Sequence, residues 1–414
     1  MRDRRRVVLR AAHQVQLLEG GRELFPALVR AVDHAAHEVR METYIFNPDT
    51  AGEQVLEALL RAAQRGVKVY LVVDGVGTPS LPAAWTSRLD AAGVQWRIFN
   101  PVGRFGLLLP SRWRRLHRKL CIVDGLVGFC GGINVLDDWV DPNHGRLDAP
   151  RLDFAVRVYG PLVSAMHEAM VQLWWRLQAV TDVREADWPA LWRVLQEAVR
   201  QAWDTRHAHG NGAGLQMGVG AGAGARAALL LRDNLRNRRR IETAYRKAIS
   251  VARDEIIIAN AYFMPGRKLR RALIHAAQRG VKVRLLLQGR YEYFMQFHAV
   301  RPVYGPLLQA GVQIHEYSPS FLHAKVAVID GHWATVGSSN LDPLSLLMAR
   351  EANVVVDDKR FAQDLRQRLV HAMTHEGRRV DPDSYTRRPW HQRLLDRLAF
   401  GLARVAIFLS RNRY

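Results

Sequence analysis

The stretch His117-Arg118-Lys119-Leu120-Cys121-Ile122-Val123-Asp124 has a counterpart half the chain away, His323-Ala324-Lys325-Val326-Ala327-Val328-Ile329-Asp330. Fourteen residues beyond each histidine begins a small-residue turn that ends in asparagine: Gly131-Gly132-Ile133-Asn134 and Gly337-Ser338-Ser339-Asn340. A doubled His-Lys-Asn set can grip one phosphate diester from two sides. The doubling also extends outward. Ala62-Ala63-Gln64-Arg65-Gly66-Val67-Lys68-Val69 recurs letter for letter from Ala276 to Val283, and Ala92-Gly93-Val94-Gln95 returns from Ala310 to Gln313. Tyr44-Ile45-Phe46 echoes Tyr262-Phe263-Met264, an alignment that sets Asn260 against Glu42. A separation of about 210 residues is too long for a solenoid and denotes a duplicated domain.

Within each copy, helical runs at Glu53–Arg65 and Lys268–Arg279 end at glycine, which favours the left-handed residue past a helix C-terminus. Each leads into an apolar β-branched run, Val67–Val73 and Val281–Leu287, and so predicts α/β sheets covered on both faces. The 414 residues, 48% hydrophobic, suffice for two ordinary domains. The reading is a first domain over 1–209, a Gly/Ala-rich linker over 210–225, a second domain over 226–378 and a basic tail over 379–414. The alternating glycines before Gly224 lack the Gly-Lys-Ser/Thr of a nucleotide loop and read as a connector. The Trp-rich stretch from Trp174 to Trp203 reads as helices packing on the first domain. Cys121 and Cys130 lie in apolar runs and read as buried thiols. The basic N-terminus is not a signal peptide, and no run of eighteen apolar residues predicts a membrane-spanning helix.

On a strand, side chains two apart share a face, so His117 projects with Lys119 and His323 with Lys325. Asp124 and Asp330, at an odd offset of seven, fall on the opposite face, where they close a turn or pair with a neighbouring strand. When the halves meet, Lys119, Lys325, Asn134 and Asn340 surround the non-bridging oxygens of a phosphate. One neutral histidine attacks phosphorus while the other, protonated, serves the leaving alcohol. Each lysine contributes up to about 4 kcal/mol at an effective dielectric of ~20, before desolvation, so the chemistry asks for no metal and no cofactor. Each histidine needs an acceptor to fix its tautomer, and Asp153 and Glu351, each opening the apolar strand after its own motif, are the candidates.

These residues resemble the phospholipase D superfamily, whose H-x-K-x4-D signature is matched in full at both sites, over a span from about Gln16 to Asp358. Leu17-Leu18-Glu19-Gly20-Gly21-Arg22-Glu23-Leu24-Phe25-Pro26, Glu42–Phe46 and Arg232–Glu242 look like the bacterial cardiolipin synthases, in the short subgroup without N-terminal membrane helices. The resemblance implies two duplicated phospholipase D-like α/β domains, each a mixed sheet flanked by helices, around one active site at a pseudo-twofold interface. It also implies phosphatidyl transfer through a phosphohistidine, with His117 as nucleophile, His323 as acid/base, and Asp124 and Asp330 counted within the catalytic signature.

The 60 Lys and Arg against 39 Asp and Glu leave a net charge of +21, which favours an anionic partner. Aromatic RNA-binding signatures are absent, and two apolar features point to lipid instead. In the tail, Trp390–Leu409 is apolar with Arg393, Arg397 and Arg404 on one helical face, the pattern of a helix lying in a bilayer interface. The competing reading is a terminal helix packed on the protein itself. An insertion before the first motif carries Phe105-Gly106-Leu107-Leu108-Leu109-Pro110 flanked by arginines, an apolar tip suited to lipid access. The expected substrates are phospholipids, with phosphatidylglycerol as acceptor and a second phosphatidylglycerol or phosphatidylethanolamine as donor. The expected location is peripheral on the cytoplasmic side of an acidic inner membrane, with no nucleic-acid partner. A hydrolytic phospholipase D and a phosphodiesterase nuclease are the competing functions.

Overall fold

The computed structural model describes residues 8–103, 106, 114–184, 224–233, 237, 239–291, 294–342 and 349–411. The first half contains β1 (Arg10–Glu19), β2 (Glu38–Thr43), β3 (Lys68–Asp74), β4 (Gln95–Phe99), β5 (Arg115–Leu116), β6 (Lys119–Val123) and β7 (Val127–Gly131). The short pair β8 (Val140–Asp141) and β9 (Gly145–Arg146) precedes β10 (Phe154–Tyr159). The second contains β11 (Ala225–Arg232), β12 (Glu255–Asn260), β13 (Lys282–Gln288), β14 (Gln313–Tyr317), β15 (Lys325–Ile329), β16 (Trp333–Gly337), β17 (Ala349–Asp357) and β18 (Gly377–Arg379). The order β4-β3-β2-β6-β7-β10-β1 repeats as β14-β13-β12-β15-β16-β17-β11. Strand β1 pairs antiparallel with β11, so the two halves form one continuous mixed sheet.

Parallel neighbours need crossovers, which the helices Thr50–Gln64, Ala83–Ala91, Arg267–Gln278 and Phe294–Gln309 provide. Helix Thr50–Gln64 starts three residues before the expected Glu53 because Asp49 caps it, accepting the Gly52 N–H at 3.0 Å. Gly66 and Gly280, at φ +87° and +90°, end the equivalent helices. One core cluster bridges the halves, joining Leu120, Phe154 and Met166 to Ala324, Val326 and Val354. Helix Leu162–Arg184 lies over the first half, with Trp174 buried against Val72, Phe99 and Leu116. Cys121 and Cys130 are buried free thiols, pushed up to about 12 by burial.

The hydrogen bonds correct one alignment. Asp124 N–H donates to the Glu38 carbonyl and Asp330 N–H to the Glu255 carbonyl, both at 2.8 Å. Glu38 therefore matches Glu255, and Asn260 matches Thr43 rather than Glu42. A slip of one residue changes the face: Glu42 turns away from the lysine side and binds Arg118 beneath helix Leu162–Arg184. The second half starts at Ala225, inside the expected linker, and its sheet ends at Arg379, one residue past the expected boundary. Linker residues 210–223, the Trp-rich stretch beyond 184 and, apart from Gly106, the tip at 105–110 lie outside the described residues.

The tail forms the helix Trp390–Arg411, packed on the protein along one side. One side docks on helix Phe294–Gln309: Ala399 and Asp396 are each 3% exposed, and Asp396 takes His298 Nδ1 at 2.7 Å and Arg388 Nη1 at 3.0 Å. The other side leaves Trp390, Leu394, Leu398 and Leu402 exposed. No helix among the described residues is long and apolar enough to cross a membrane.

The catalytic part expected of Asp124 and Asp330 is also corrected. Each sits at φ near +50° in the hairpin turn at the far end of its five-residue strand, which alone spans about 16 Å at ~3.3 Å per residue. Asp124 accepts the N–H groups of Ala36, His37 and Glu38 at 2.8 Å, and Asp330 those of Arg253, Asp254 and Glu255 at 2.9–3.0 Å. Partial burial alone would raise these carboxyls, but the three N–H donors outweigh it and hold both below the ordinary range. The resulting stabilisation is present at neutral pH and lost as pH falls through the lowered folded-state value. Asp124→Ala and Asp330→Ala should each cost about 1–3 kcal/mol in equilibrium unfolding while the folded fraction keeps its turnover. Loss of turnover in a variant with unchanged stability would return these residues to the chemistry.

Candidate active site

The two histidines are held across the pseudo-twofold by the opposite half. The His117 N–H donates to the Arg350 carbonyl at 3.0 Å, and its Nδ1 lies 3.1 Å from the carboxylate of the next residue, Glu351. The His323 N–H donates to the Leu152 carbonyl at 2.9 Å, and its Nδ1 lies 2.6 Å from the next residue, Asp153. Each ring is thus oriented by the carboxylate of the other motif's half, whereas the sequence had set each carboxylate beside its own motif. With Nδ1 engaged, each ring can present Nε2 to a substrate.

Both lysines end at their own histidine's backbone: Lys119 Nζ donates to the His117 carbonyl at 2.8 Å, and Lys325 Nζ to that of His323. Lys119 is 6% exposed and Lys325 fully buried. Asn134 and Asn340 are buried as well. The Asn134 Oδ1 accepts the Ile45 N–H at 3.4 Å, while the Asn340 Oδ1 has no partner among the described residues. Of the sequence candidates, His117, Lys119, Asp153, His323, Lys325 and Glu351 converge and Asp124 and Asp330 do not, while Asn134 and Asn340 are buried three residues beyond the ends of β7 and β16.

Burial and like charge dominate the electrostatics. Burial pulls Lys119 down to about 7, with Glu351 opposing and Lys325 reinforcing the shift. Burial also lowers His117, against the attraction of Glu351. His323 falls further, through burial and the charges of Lys325, Lys119 and His117. The carboxylates diverge. Asp153 is pushed up to about 7 by burial, only partly offset by Lys325 and the Phe154 N–H. Burial opposes ionisation of Glu351 as well, but His117 and Arg232 overcome it and keep its value low. The Ser338 hydroxyl donates to Glu351. No hydroxyl fits at Gly132, the matching position, where even a Cβ would lie 2.4 Å from the Asp153 Oδ1.

Several supporting residues escaped the sequence reading. Asp74 ends β3 and accepts the Leu116 N–H at 2.6 Å, while Gln288 ends β13 and accepts the Leu322 N–H at 2.8 Å. Both therefore tether the residue immediately before a site histidine. Their signal was present, because the repeat that aligns Ala62 with Ala276 also aligns Asp74 with Gln288. Tyr44 lies with its ring centroid 4.8 Å from that of His117 and 5.3 Å from Lys119 Nζ. Among the described residues there is no cluster of three His, Cys, Asp or Glu side chains arranged to hold a metal ion.

The family model described as cardiolipin synthase, phospholipase D-like domain, matches residues 28–145 and 245–373. Cardiolipin synthase B of Salmonella typhi is 37% identical over 395 residues, 95% of this chain and 89% of the relative. Cardiolipin synthase of Geobacillus kaustophilus is 29% identical, over 93% of this chain and 71% of the relative. Among solved structures, phosphatidylserine synthase from Haemophilus influenzae Rd KW20 superposes with a TM-score of 0.65 at 12% identity, covering 98% of this chain and 96% of that one. Polyphosphate kinase from Porphyromonas gingivalis gives 0.54 at 13% identity, covering 95% and 53%, and both likenesses concern the fold alone. With family segments spanning both histidine motifs and a relative similar along nearly its whole length, the chain belongs to the cardiolipin synthase family of phospholipase D-like proteins.

Proposed function

We propose that this chain makes cardiolipin, transferring a phosphatidyl group to phosphatidylglycerol through a phosphohistidine. The observation that carries the reading is the pair of crossed His–carboxylate contacts in one buried pocket with two lysines. A phosphodiester anion in that pocket supplies the negative charge that the lysines lack, and raises the proton affinity of Lys119 and both histidines.

The roles follow from the unequal carboxylates. His117 attacks phosphorus through Nε2, the P–N bond forms, and the ring takes on positive charge that the ionised Glu351 stabilises. His323 and Asp153 are a coupled pair that together hold two protons, one on Nε2 and one shared between Nδ1 and the Asp153 carboxyl. His323 delivers the Nε2 proton to the leaving alkoxide as the P–O bond breaks, and the other proton settles on Nδ1, leaving a neutral imidazole beside an ionised Asp153. In the second step His323 takes the proton of the acceptor hydroxyl, the acceptor oxygen bonds to phosphorus, and the P–N bond breaks. With phosphatidylglycerol as donor the balance is two phosphatidylglycerols to one cardiolipin and one glycerol. With phosphatidylethanolamine as donor the leaving alcohol is ethanolamine. Lys119, Lys325, Asn134 and Asn340 bind the phosphate oxygens in both steps.

The anionic partner beyond the substrate is an acidic bilayer, which the enzyme meets peripherally from the cytoplasmic side. The exposed face of helix Trp390–Arg411 supports this reading, because its apolar side chains point away from the docked side.

Purified protein given labelled phosphatidylglycerol in mixed micelles with EDTA should yield cardiolipin and glycerol by mass spectrometry. His117→Ala and His323→Ala should each abolish this, with any trapped adduct on His117. Phosphatidic acid alone would make the enzyme a hydrolase, and label on His323 would reverse the roles. The pH profile of kcat/KM on a soluble short-chain substrate should fall above about pH 7 as Lys119 loses its proton in the free enzyme. Its acid limb should lie below the ordinary histidine value of 6.5, because the nucleophile's value is lowered. A plateau extending to pH 9 would contradict this. Serine substitutions at Trp390, Leu394 and Leu398 together should weaken binding to anionic liposomes without lowering thermal stability. Unchanged liposome binding would move the membrane contact elsewhere.

A further inference from the structure

A cavity of about 850 Å³ lies beside the histidine pocket, bounded by the first turns of helices Gly20–Asp33 and Thr50–Gln64, the loop 137–152 and the end of helix Lys359–His371. That volume is in the range of sites for small organic ligands. Two of its lining residues join it to the His323–Asp153 pair through the backbone. The Leu152 carbonyl accepts the His323 N–H, and the Gly20 N–H donates to the Asp153 carbonyl, both at 2.9 Å. Two others, Arg151 and Asp138, carry charges that reach His323 and Asp153 respectively. The charged groups around the cavity are largely spent on neighbours: Arg151 meets Asp141 at 2.7 Å, Arg368 meets Glu19 at 3.0 Å, and Asp138 accepts the Gly21 N–H at 2.5 Å. What remains to meet a ligand is mainly apolar surface, from Phe25, Pro26, Pro150 and Leu152. The cavity reaches the surface at Trp139, which lines it and is exposed, as is the adjoining Val140. A tryptophan at such a mouth suits a bilayer interface. The hairpin β8–β9 that begins there sets His144 against Phe321, two residues before His323, at 5.0 Å between ring centroids. The mouth is thereby fixed to the segment that carries His323.

On the reading of the reaction given above, we propose that this cavity is the acceptor subsite: it takes an acyl chain of the acceptor lipid while that lipid's headgroup hydroxyl meets His323. In-line displacement puts the leaving and entering oxygens on the side of phosphorus opposite the nucleophile His117, which is the His323 side. The first leaving group is small, glycerol or ethanolamine, whereas the acceptor that follows it brings two acyl chains. Room for hydrocarbon is therefore needed on the His323 side, where the cavity lies. A chain that enters it gains in proportion to the apolar surface removed from water, a gain that water and short alcohols cannot match. The cavity thus favours a lipid acceptor over small hydroxyl compounds competing for the same phosphohistidine.

The test is the choice of acceptor. Labelled phosphatidylglycerol in mixed micelles is given glycerophosphoglycerol, which carries the same headgroup hydroxyl and phosphate as the lipid but no acyl chains. Cardiolipin then reports the lipid acceptor, the phosphatidyl ester of glycerophosphoglycerol the chainless one, and phosphatidic acid water. Ala149→Trp fills the cavity from the loop 137–152. It should lower the ratio of cardiolipin to the chainless product about tenfold relative to the unmodified protein, roughly what two methylene groups contribute on burial. The ratio of the chainless product to phosphatidic acid should stay as it is. Gln54→Trp, at an exposed position on the opposite wall, should act in the same direction, and it carries the test alone if Ala149→Trp does not fold. An unchanged cardiolipin ratio in the folded variant, or an equal loss of all three products, would overturn the proposal, the latter by assigning the cavity to the donor lipid or to the scaffold. Failure of the unmodified protein to make cardiolipin would instead overturn the function reading, before any variant is compared.

Discussion

The crossing of the two halves at the histidines is the constraint on which the rest depends. Each imidazole takes its backbone acceptor and its ring partner from consecutive residues of the opposite half, Arg350 with Glu351 and Leu152 with Asp153. Neither half alone can hold its own histidine. Burying Lys119, Lys325, Glu351 and Asp153 together costs several kcal/mol per ion before pairing is counted. That arrangement persists because the core cluster and the β1–β11 pairing hold both halves rigidly around it. The hydrophobic junction is therefore what keeps the polar pocket assembled.

Much of this was legible in the chain because the informative signals were local. Period-two alternation placed each histidine with its lysine, glycine ended the crossover helices, and the same alternation set Asp124 and Asp330 apart from the phosphate even though the family signature counts them as catalytic. The hydrogen bonds to residues 36–38 and 253–255 side with the alternation. What was not legible depends on contacts distant in sequence. The exchange of Asp153 and Glu351 between histidines has no local pattern. The match of Asn260 with Thr43 was hidden because loops of different length shift the copies, by 206 residues at the histidines (117 and 323) but 214 at the longest identical run (62 and 276).

The tail shows a different limit. A helical pattern with two apolar sectors fits both packing and a lipid surface, and sequence periodicity alone does not divide the sectors. The division comes from Asp396, a carboxylate that is buried because His298 and Arg388 meet it. An acidic residue within an apolar helix thus marks the docked side, and the exposed leucines and tryptophan take the other.

The unequal turns at Gly132 and Ser338 have a consequence for how such a site arises. A dimer of two identical chains would give both histidines the same carboxylate and the same neighbouring residue, and only the substrate could distinguish them. Joining the copies covalently lifted that symmetry, so one half could acquire a hydroxyl on its carboxylate while the other kept a glycine too tightly packed to accept one. The difference between the two histidines' surroundings is then built into the polypeptide itself and is present before any ligand arrives.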